Sequence, residues 1–209
     1  MLGEAARSAP RRAAQGLDKR AGLRGDRLLS DVLFYEDVLS GARRLVGITD
    51  GGLAVAPTLD QKRQIVLNAI EVMRWLGFLR PRIAVMSASE AVSTAMPSTV
   101  DAQALTAMGR DGVFGEAEVF GPLAFDNALL RSAAEAKGIF HPVAGRADCM
   151  VVPSVEAGNL LGKAVRYLGK SSCAHVVVGA KVPVLIPSRV ESAEDKVNAI
   201  ALGVLSGGR

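Results

Sequence analysis

The stretch LVGITDGGLAVAPTLDQKRQIVLNAIEVMRWLG, residues 45–77, contains a strand pattern, a polar loop and a helix pattern in succession. Residues 45–48 are apolar and partly β-branched, as buried parallel strands are. Apolar residues then recur at i, i+3 and i+4 over residues 60–76, which predicts an amphipathic helix. Gln61 lies three residues after Thr58, as in a capping box, and a glycine follows the helix. The stretch therefore predicts one strand–loop–helix unit.

The same alternation continues to the end of the chain. Further strands are predicted at 82–87, 148–152, 175–178 and 184–186. Further helices are predicted at 101–108, 126–137, 156–168 and 193–205. Strands that alternate with helices are typical of a three-layer α/β fold with a mostly parallel sheet.

The amino-acid composition excludes several classes of protein. Of the 209 residues, 49% are hydrophobic and only 4% are aromatic, which excludes global disorder and predicts an aliphatic core. No apolar run approaches the ~18 residues of a transmembrane helix, and the start does not resemble a signal peptide. We therefore expect a soluble cytoplasmic protein that does not bind membranes.

The net charge of +4 lies entirely in the N-terminal region, since residues 28–209 hold equal numbers of acidic and basic side chains. A basic, alanine-rich segment could bind nucleic acid or another anionic partner, or act as a transit segment. No aromatic residues alternate with its basic ones and no nucleic-acid motif follows. A solvated helix face is thus the preferred interpretation, and no nucleic-acid partner is expected.

Cysteines and histidines give little indication of chemistry. Cys149 and Cys173 each lie in an apolar stretch, which suits buried thiols in a reducing compartment. Spacing alone does not exclude a nucleophile system using His141 or His175, but structural roles are favoured for both. No metal or nucleotide-triphosphate motif is present.

The loops that follow predicted strands are the candidate ligand sites, because anions bind there at helix N-termini. These loops are 49–52, 153–159 and 187–195. The last one combines a hydroxyl, a guanidinium and carboxylates, which could stabilise an oxyanion, grip phosphate and accept a proton. On the residues alone, the simpler interpretation is favoured, in which Ser192 caps a helix and Arg189 is solvated.

Seven segments together resemble one family, the phosphate acetyltransferase/phosphate butyryltransferase family. They are ITDGGLAVAPTL (48–59), MPSTVDA (96–102), GPLAFDNA (121–128), KGI (137–139), PVAGRAD (142–148), EAGN (156–159) and PSR (187–189). The butyryl-type branch is the nearer one, mainly through GPLAFDNA.

The resemblance implies transfer of a short acyl group between coenzyme A and inorganic phosphate in a ternary complex, which gives an acyl phosphate. It implies no metal and no cofactor, with coenzyme A as cosubstrate. It also implies two α/β domains arranged as in isocitrate/isopropylmalate dehydrogenases, with the active site between them, and a homodimer.

The resemblance also implies site residues. Ser188, Arg189 and Asp195 match the family's catalytic serine, arginine and aspartate: Asp195 would take the thiol proton, Arg189 would bind phosphate and Ser188 would stabilise the transition state. The implied substrate-binding residues are Asp50, Gly51, Ser98, Thr99, Asp126 and Asn127. Local roles remain open for five of them, namely a plain turn at 50–51 and helix capping at Thr99, Asp126 and Asn127.

This chain departs from the family at its N-terminus, where family members are longer. Residues 1–20 are expected to be a basic segment, 21–174 a complete middle domain and 175–209 part of a truncated second domain. The strands predicted in 175–209 would then lack sheet neighbours. Dimerisation, a partner chain supplying the N-terminal half-domain, or an upstream segment could complete that domain. Two local departures are Ala14 in place of an arginine and Ser154 in place of an aspartate.

Two classes of function therefore compete. The first is an acyl-CoA:phosphate acyltransferase, favoured because Ser188, Arg189 and Asp195 are retained. The second is a non-catalytic remnant that acts as a coenzyme A-binding or subunit-interaction module. A third possibility, the acyl-phosphate-forming enzyme of phospholipid synthesis, is disfavoured by the GPLAFDNA and PVAGRAD stretches.

Overall fold

The computed structural model describes residues 23, 25–39, 41, 43–188 and 190–207. The basic segment 1–20 and the departure at Ala14 lie outside the described residues. The strands are β1 (Ser30–Asp37), β2 (Arg44–Thr49), β3 (Arg82–Met86), β4 (Glu118–Leu123), β5 (Cys149–Val151) and β6 (Cys173–Val178). The helices are α1 (Leu59–Trp75), α2 (Pro97–Arg110), α3 (Phe125–Leu129), α4 (Arg131–Ala136), α5 (Val155–Tyr167) and α6 (Ala193–Gly207). None of these helices combines the length and apolar character needed to span a bilayer.

The strands form one sheet in the order β4-β3-β5-β2-β1-β6. Neighbours from β4 to β2 pair in parallel, whereas β1 is antiparallel to both β2 and β6. All strands but β1 therefore run in one direction, and the predicted mostly parallel sheet is confirmed. Their carboxyl ends meet at one edge of the sheet, where ligand sites are expected.

Helices cover both faces of the sheet, because successive side chains of each strand point to opposite sides. On β3, Ile83 and Val85 join one apolar cluster with α1, α2 and α6, whereas Ala84 and Met86 join another with α3, α4 and α5. The three-layer prediction thus agrees with the structure. Helix α1 begins with the predicted capping box, in which Thr58 and Gln61 bond each other's backbone N–H groups.

Several predicted boundaries were wrong. Strands β1 and β4 were not predicted. Residues 184–186 form no strand, and only Val184 makes an isolated bridge with Val177. The single helix expected over 126–137 is two short helices, because Leu130 takes an extended conformation between them.

The expectation that residues 175–178 lack sheet neighbours is also wrong. They belong to β6, which pairs with β1 along its length, Ser30 opposite Val178 and Tyr35 opposite Cys173. The expected boundary between residues 174 and 175 falls inside this strand. The division into a middle domain and part of a second one stays a prediction.

Candidate functional site

A cavity of about 450 Å³ lies between α5, the loop after β2 and residues 186–188, 190 and 191. Gly51 and Ser188, two of the predicted site residues, both line it. Its wall carries ionisable side chains of both kinds, namely Lys163, Arg166, His175, Asp31 and Glu191. The cavity therefore combines a hydroxyl with basic and acidic groups next to the carboxyl end of β2.

Two glycines allow α5 to approach the loop after β2. A Cβ added to Gly158 would lie 2.6 Å from the Cα of Gly51, which is closer than real side-chain carbons come. The amide of Asn159 donates to the Gly51 carbonyl at 3.4 Å, and Ser154 caps the helix by accepting from the N–H of Ala157. Ser154, the departure from the family pattern, thus serves as a helix cap.

Asp50 shapes its own loop. Its buried carboxylate accepts the N–H groups of Gly52, Leu53 and Ala54 at 2.7, 2.8 and 3.1 Å. Burial and the neighbouring charge of Asp31 raise the pKa of Asp50 to about 6, against the effect of these hydrogen bonds. The structure therefore gives Asp50 a turn-forming role and places Gly51, the next residue, at the cavity.

Asp195 has each of its carboxylate oxygens engaged. Oδ1 accepts the N–H of Cys173 at 2.9 Å, and Oδ2 accepts the Ser192 hydroxyl at 2.7 Å and a guanidinium N–H of Arg166. Ser192 in turn accepts the Asp195 N–H at the start of α6, as the predicted cap. Partial burial raises the pKa of Asp195, but the contacts with Cys173, Ser192 and Arg166 outweigh it and leave the pKa below its ordinary value.

His175 on β6 lies between two carboxylates at the cavity wall. Its Nδ1 is 3.0 Å from Asp31 Oδ1 on β1, and its Nε2 is 3.3 Å from Glu191 Oε1. Burial lowers the pKa of His175, but the two carboxylates outweigh it and raise the pKa to about 10. The ring is thus an imidazolium at neutral pH.

Arg166 joins the ionic groups around the cavity, since it contacts Asp195 and also lies 3.5 Å from Glu191. Four residues of the site were not predicted from the sequence, namely Arg166, Lys163, Asp31 and His175. Glu191 lies in the candidate loop 187–195 but had no role of its own. A signal existed for the α5 residues, because Asn159, Lys163 and Arg166 recur at i, i+4 and i+7 and so share one helix face. No comparable spacing connects Asp31 with His175.

Ser98 and Thr99 begin α2, after the loop that follows β3. The Ser98 and Ser87 hydroxyls are 2.8 Å apart. Thr99 is buried, and its hydroxyl donates towards the carbonyls of Ser93 and Met96 and accepts the N–H of Ser93. Thr99 therefore holds this loop together and is not the helix N-cap, a position that Met96 occupies.

Asp126 and Asn127 lie in α3, after β4, and neither caps this helix. Asp126 is half-exposed and pairs with Lys137 at 3.3 Å. Asn127 is buried; its amide donates to Glu90, while its Oδ1 has no hydrogen-bond partner. None of the four predicted residues at 98–99 and 126–127 lines the 450 Å³ cavity. They follow β3 and β4, at other positions along the carboxyl ends of the strands.

Arg189, the predicted phosphate-binding residue, lies outside the described residues. In the part of the chain that the structure describes, no cluster of three or more His, Cys, Asp or Glu side chains has the arrangement of a metal site. Burial raises the pKa of Cys149 to about 12 and that of Cys173 to about 11, so neither cysteine has the thiolate character of a nucleophile.

The fold and the cavity define a layered α/β protein with a cavity lined by ionisable side chains next to the carboxyl end of β2. The chain belongs to the phosphate acetyl/butaryl transferase family, whose model matches residues 3–204. It is 41% identical over 198 residues to a phosphate acetyltransferase of Rickettsia prowazekii, covering 88% of this chain and 56% of that protein. It is also 41% identical over 188 residues to a probable phosphate butyryltransferase of Bacillus subtilis, covering 90% and 62%.

A solved structure agrees with this assignment. A branched-chain phosphotransacylase from Enterococcus faecalis superposes with a TM-score of 0.80 at 36% identity, over 88% of this chain and 65% of that one. This chain thus spans less than two thirds of the length of the relatives that it matches.

Proposed function

We propose that this protein transfers a short acyl group between coenzyme A and inorganic phosphate, with the 450 Å³ cavity as the reaction site. A phosphate oxygen attacks the thioester carbonyl, a tetrahedral intermediate forms, and the C–S bond breaks to give an acyl phosphate and the coenzyme A thiolate. The observation that carries this proposal is the position of Ser188 on the same cavity as the cations Lys163 and Arg166. Family membership supports the same reaction.

The roles of the site residues follow from their chemistry. The Ser188 hydroxyl donates to the carbonyl oxygen as negative charge develops there, an interaction worth about 2.7–4 kcal/mol in favourable sites. Arg189 binds phosphate, since a guanidinium is always charged and can form two parallel hydrogen bonds. No metal or redox cofactor takes part in the proposed reaction.

Asp195 takes the thiol proton in the reverse direction. An ordinary thiol has a pKa near 8.5 and an ordinary aspartate one near 3.9, so this transfer costs about 6 kcal/mol. The contacts that lower the pKa of Asp195 increase that cost. Lys163 offsets part of it, because its ammonium group lies on the cavity wall and favours the thiolate.

The test is thiol release from acetyl-CoA and butyryl-CoA, with and without phosphate, by the purified chain. We expect phosphate-dependent release that Arg189→Ala abolishes. Arg63→Ala is the matched control, because Arg63 lies on α1 and pairs only locally with Asp60 at 2.8 Å. Release that is independent of phosphate, or equal in the two variants, would contradict the proposal.

The alternative is a non-catalytic module that binds coenzyme A or another subunit. The observation that favours it is the engagement of both Asp195 oxygens by Cys173, Ser192 and Arg166, which stabilises the carboxylate and so disfavours proton transfer from a thiol. Coenzyme A binding by calorimetry without any thiol release would support this alternative.

We also propose a homodimer and a two-domain arrangement like that of isocitrate/isopropylmalate dehydrogenases, to which residues 175–209 contribute. Val197, Ile200 and Val204 are more than half exposed on α6. Their i, i+3, i+7 spacing places them on one face, which supports a partner surface there. Light scattering should give twice the chain mass. A monomer that binds a separate chain with an N-terminal half-domain would favour the partner-chain alternative.

A further inference from the structure

Among the described residues, the segment that carries Ser188 has one backbone anchor to the sheet, the bridge between Val184 and Val177. Residues 185–188 and 190 belong to no strand. The Glu191 N–H donates to the Ser188 carbonyl at 3.1 Å, so these two residues close one turn. The position of Ser188 therefore depends on what holds Glu191.

Two cations hold Glu191, and both belong to elements packed in the body of the protein. His175 on β6 lies 3.3 Å from its carboxylate and Arg166 on α5 lies 3.5 Å from it. Only 6% of the Glu191 side chain is exposed. A carboxylate so far removed from water needs its cationic partners in place, because an unpaired buried charge is costly.

His175 is itself fixed from its other side. Asp31 on β1, the strand next to the edge strand β6, lies 3.0 Å from Nδ1, and Nε2 on the other side of the ring lies 3.3 Å from Glu191. We propose that His175 is a positioning residue: held as an imidazolium between Asp31 and Glu191, it anchors the Ser188–Glu191 turn at the mouth of the cavity. This inference rests on the proposed function for the catalytic role of Ser188.

The charges that face His175 come from every element around it. Asp31 on β1 and Glu191 in the turn contact it, Arg166 and Lys163 on α5 line the same cavity, and Asp195 on α6 pairs with Arg166. The two carboxylates in contact outweigh the effect of burial on the pKa of His175, and Arg166 pairs with Asp195 and Glu191.

The test uses His175→Gln and Glu191→Gln in the full chain. Glutamine can still donate to Asp31 but carries no charge, and Glu191→Gln removes the charge from the turn without touching the sheet. We expect each variant to lower kcat by about 10- to 100-fold, since small misplacements of a reacting group cost that much. KM should change far less, and the double variant should be no worse than the poorer single one.

Hydrogen–deuterium exchange supplies a readout that does not depend on activity. We expect faster exchange in peptides spanning residues 186–192 of both variants and unchanged exchange in β1 and β6. His141→Gln is the matched control, because His141 stacks on Phe120 with ring centroids 3.9 Å apart and does not line the cavity.

The two measurements distinguish a failure of the anchoring role from a failure of the proposed function. Wild-type kcat in either folded variant, or unchanged exchange over 186–192, would overturn the anchoring role. If His175→Gln does not fold, Glu191→Gln alone decides by the same criteria. If the wild-type chain transfers no acyl group, the proposed function fails, and faster exchange in the variants still supports the anchor.

Discussion

Asp195 combines a proposed catalytic role with a structural one, and Asp195→Asn separates them. An amide cannot accept the thiol proton, so we expect kcat to fall by about 10²- to 10⁴-fold. The amide also loses the ionic hydrogen bond to Arg166, which should lower the free energy of unfolding by about 1–3 kcal/mol. Steady-state kinetics and urea denaturation measure the two effects.

The control for this variant is Asp60→Asn, which removes a carboxylate from an exposed local pair on α1. It should change neither kcat nor the urea midpoint appreciably. A folded Asp195→Asn chain with wild-type kcat would exclude Asp195 as the base. A lowered urea midpoint with unchanged kcat would leave it only the structural role.

At the scale of elements, the contact of α5 with the loop after β2 depends on Gly158. A methyl group there would meet the Gly51 backbone at 2.6 Å, and backbone cannot move aside cheaply. We expect Gly158→Ala to destabilise the protein by about 1–3 kcal/mol and to raise KM by displacing Gly51 at the cavity. Thermal unfolding and coenzyme A titration measure the two effects.

Gly162 provides the comparison, because it lies one turn further along α5 and an added Cβ would meet only Leu33 Cδ1, at 3.6 Å. Gly162→Ala should be neutral or stabilise the helix by about 0.5–1 kcal/mol. Equal effects of the two substitutions would show that the close approach at Gly158 does not matter.

The elements that the sequence predicted well are those whose pattern is local. Helix α1 has both its apolar period and its capping box within one stretch, and its start was predicted to within a residue. Strand β4 was missed because Gly121-Pro122 within it is typical of a turn. Strand β1 was missed because its polar residues, such as Ser30 and Asp31, are buried by contacts with distant residues such as Asn68 and His175.

At the scale of the whole molecule, His175 makes stability depend on pH. Its pKa is about 10 in the folded chain and near the ordinary 6.5 in the unfolded chain. Its contribution is therefore fully present below about pH 6.5 and is lost as the pH rises through about 10. Between these limits the wild type should lose up to about 1.4 kcal/mol per pH unit relative to His175→Gln. Urea denaturation of both chains from pH 6 to 10 measures this, and parallel curves would contradict it.

The residues of the site likewise fall into two groups, those that a local sequence motif identifies and those that only the fold brings together. The family motifs gave Gly51 and Ser188, which the structure places on one cavity. The ionic groups behind Ser188 come from β1, α5, β6 and the turn at Glu191, up to 160 residues apart in the chain, and Asp31 and Glu191 meet only through His175. No sequence spacing could predict that contact, because it depends on β1 pairing with β6.

The pairing of the first described strand with the last has a consequence for synthesis. On the ribosome, β1 emerges about 140 residues before its partner β6, so one edge of β1 stays unpaired until Cys173–Val178 has left the exit tunnel. Nascent chains stalled before residue 173 should therefore expose that edge and bind chaperones, whereas chains released after α6 should not. Synthesis of residues 173–207 thus decides both when β1 is paired on both sides and when Ser188 reaches its place.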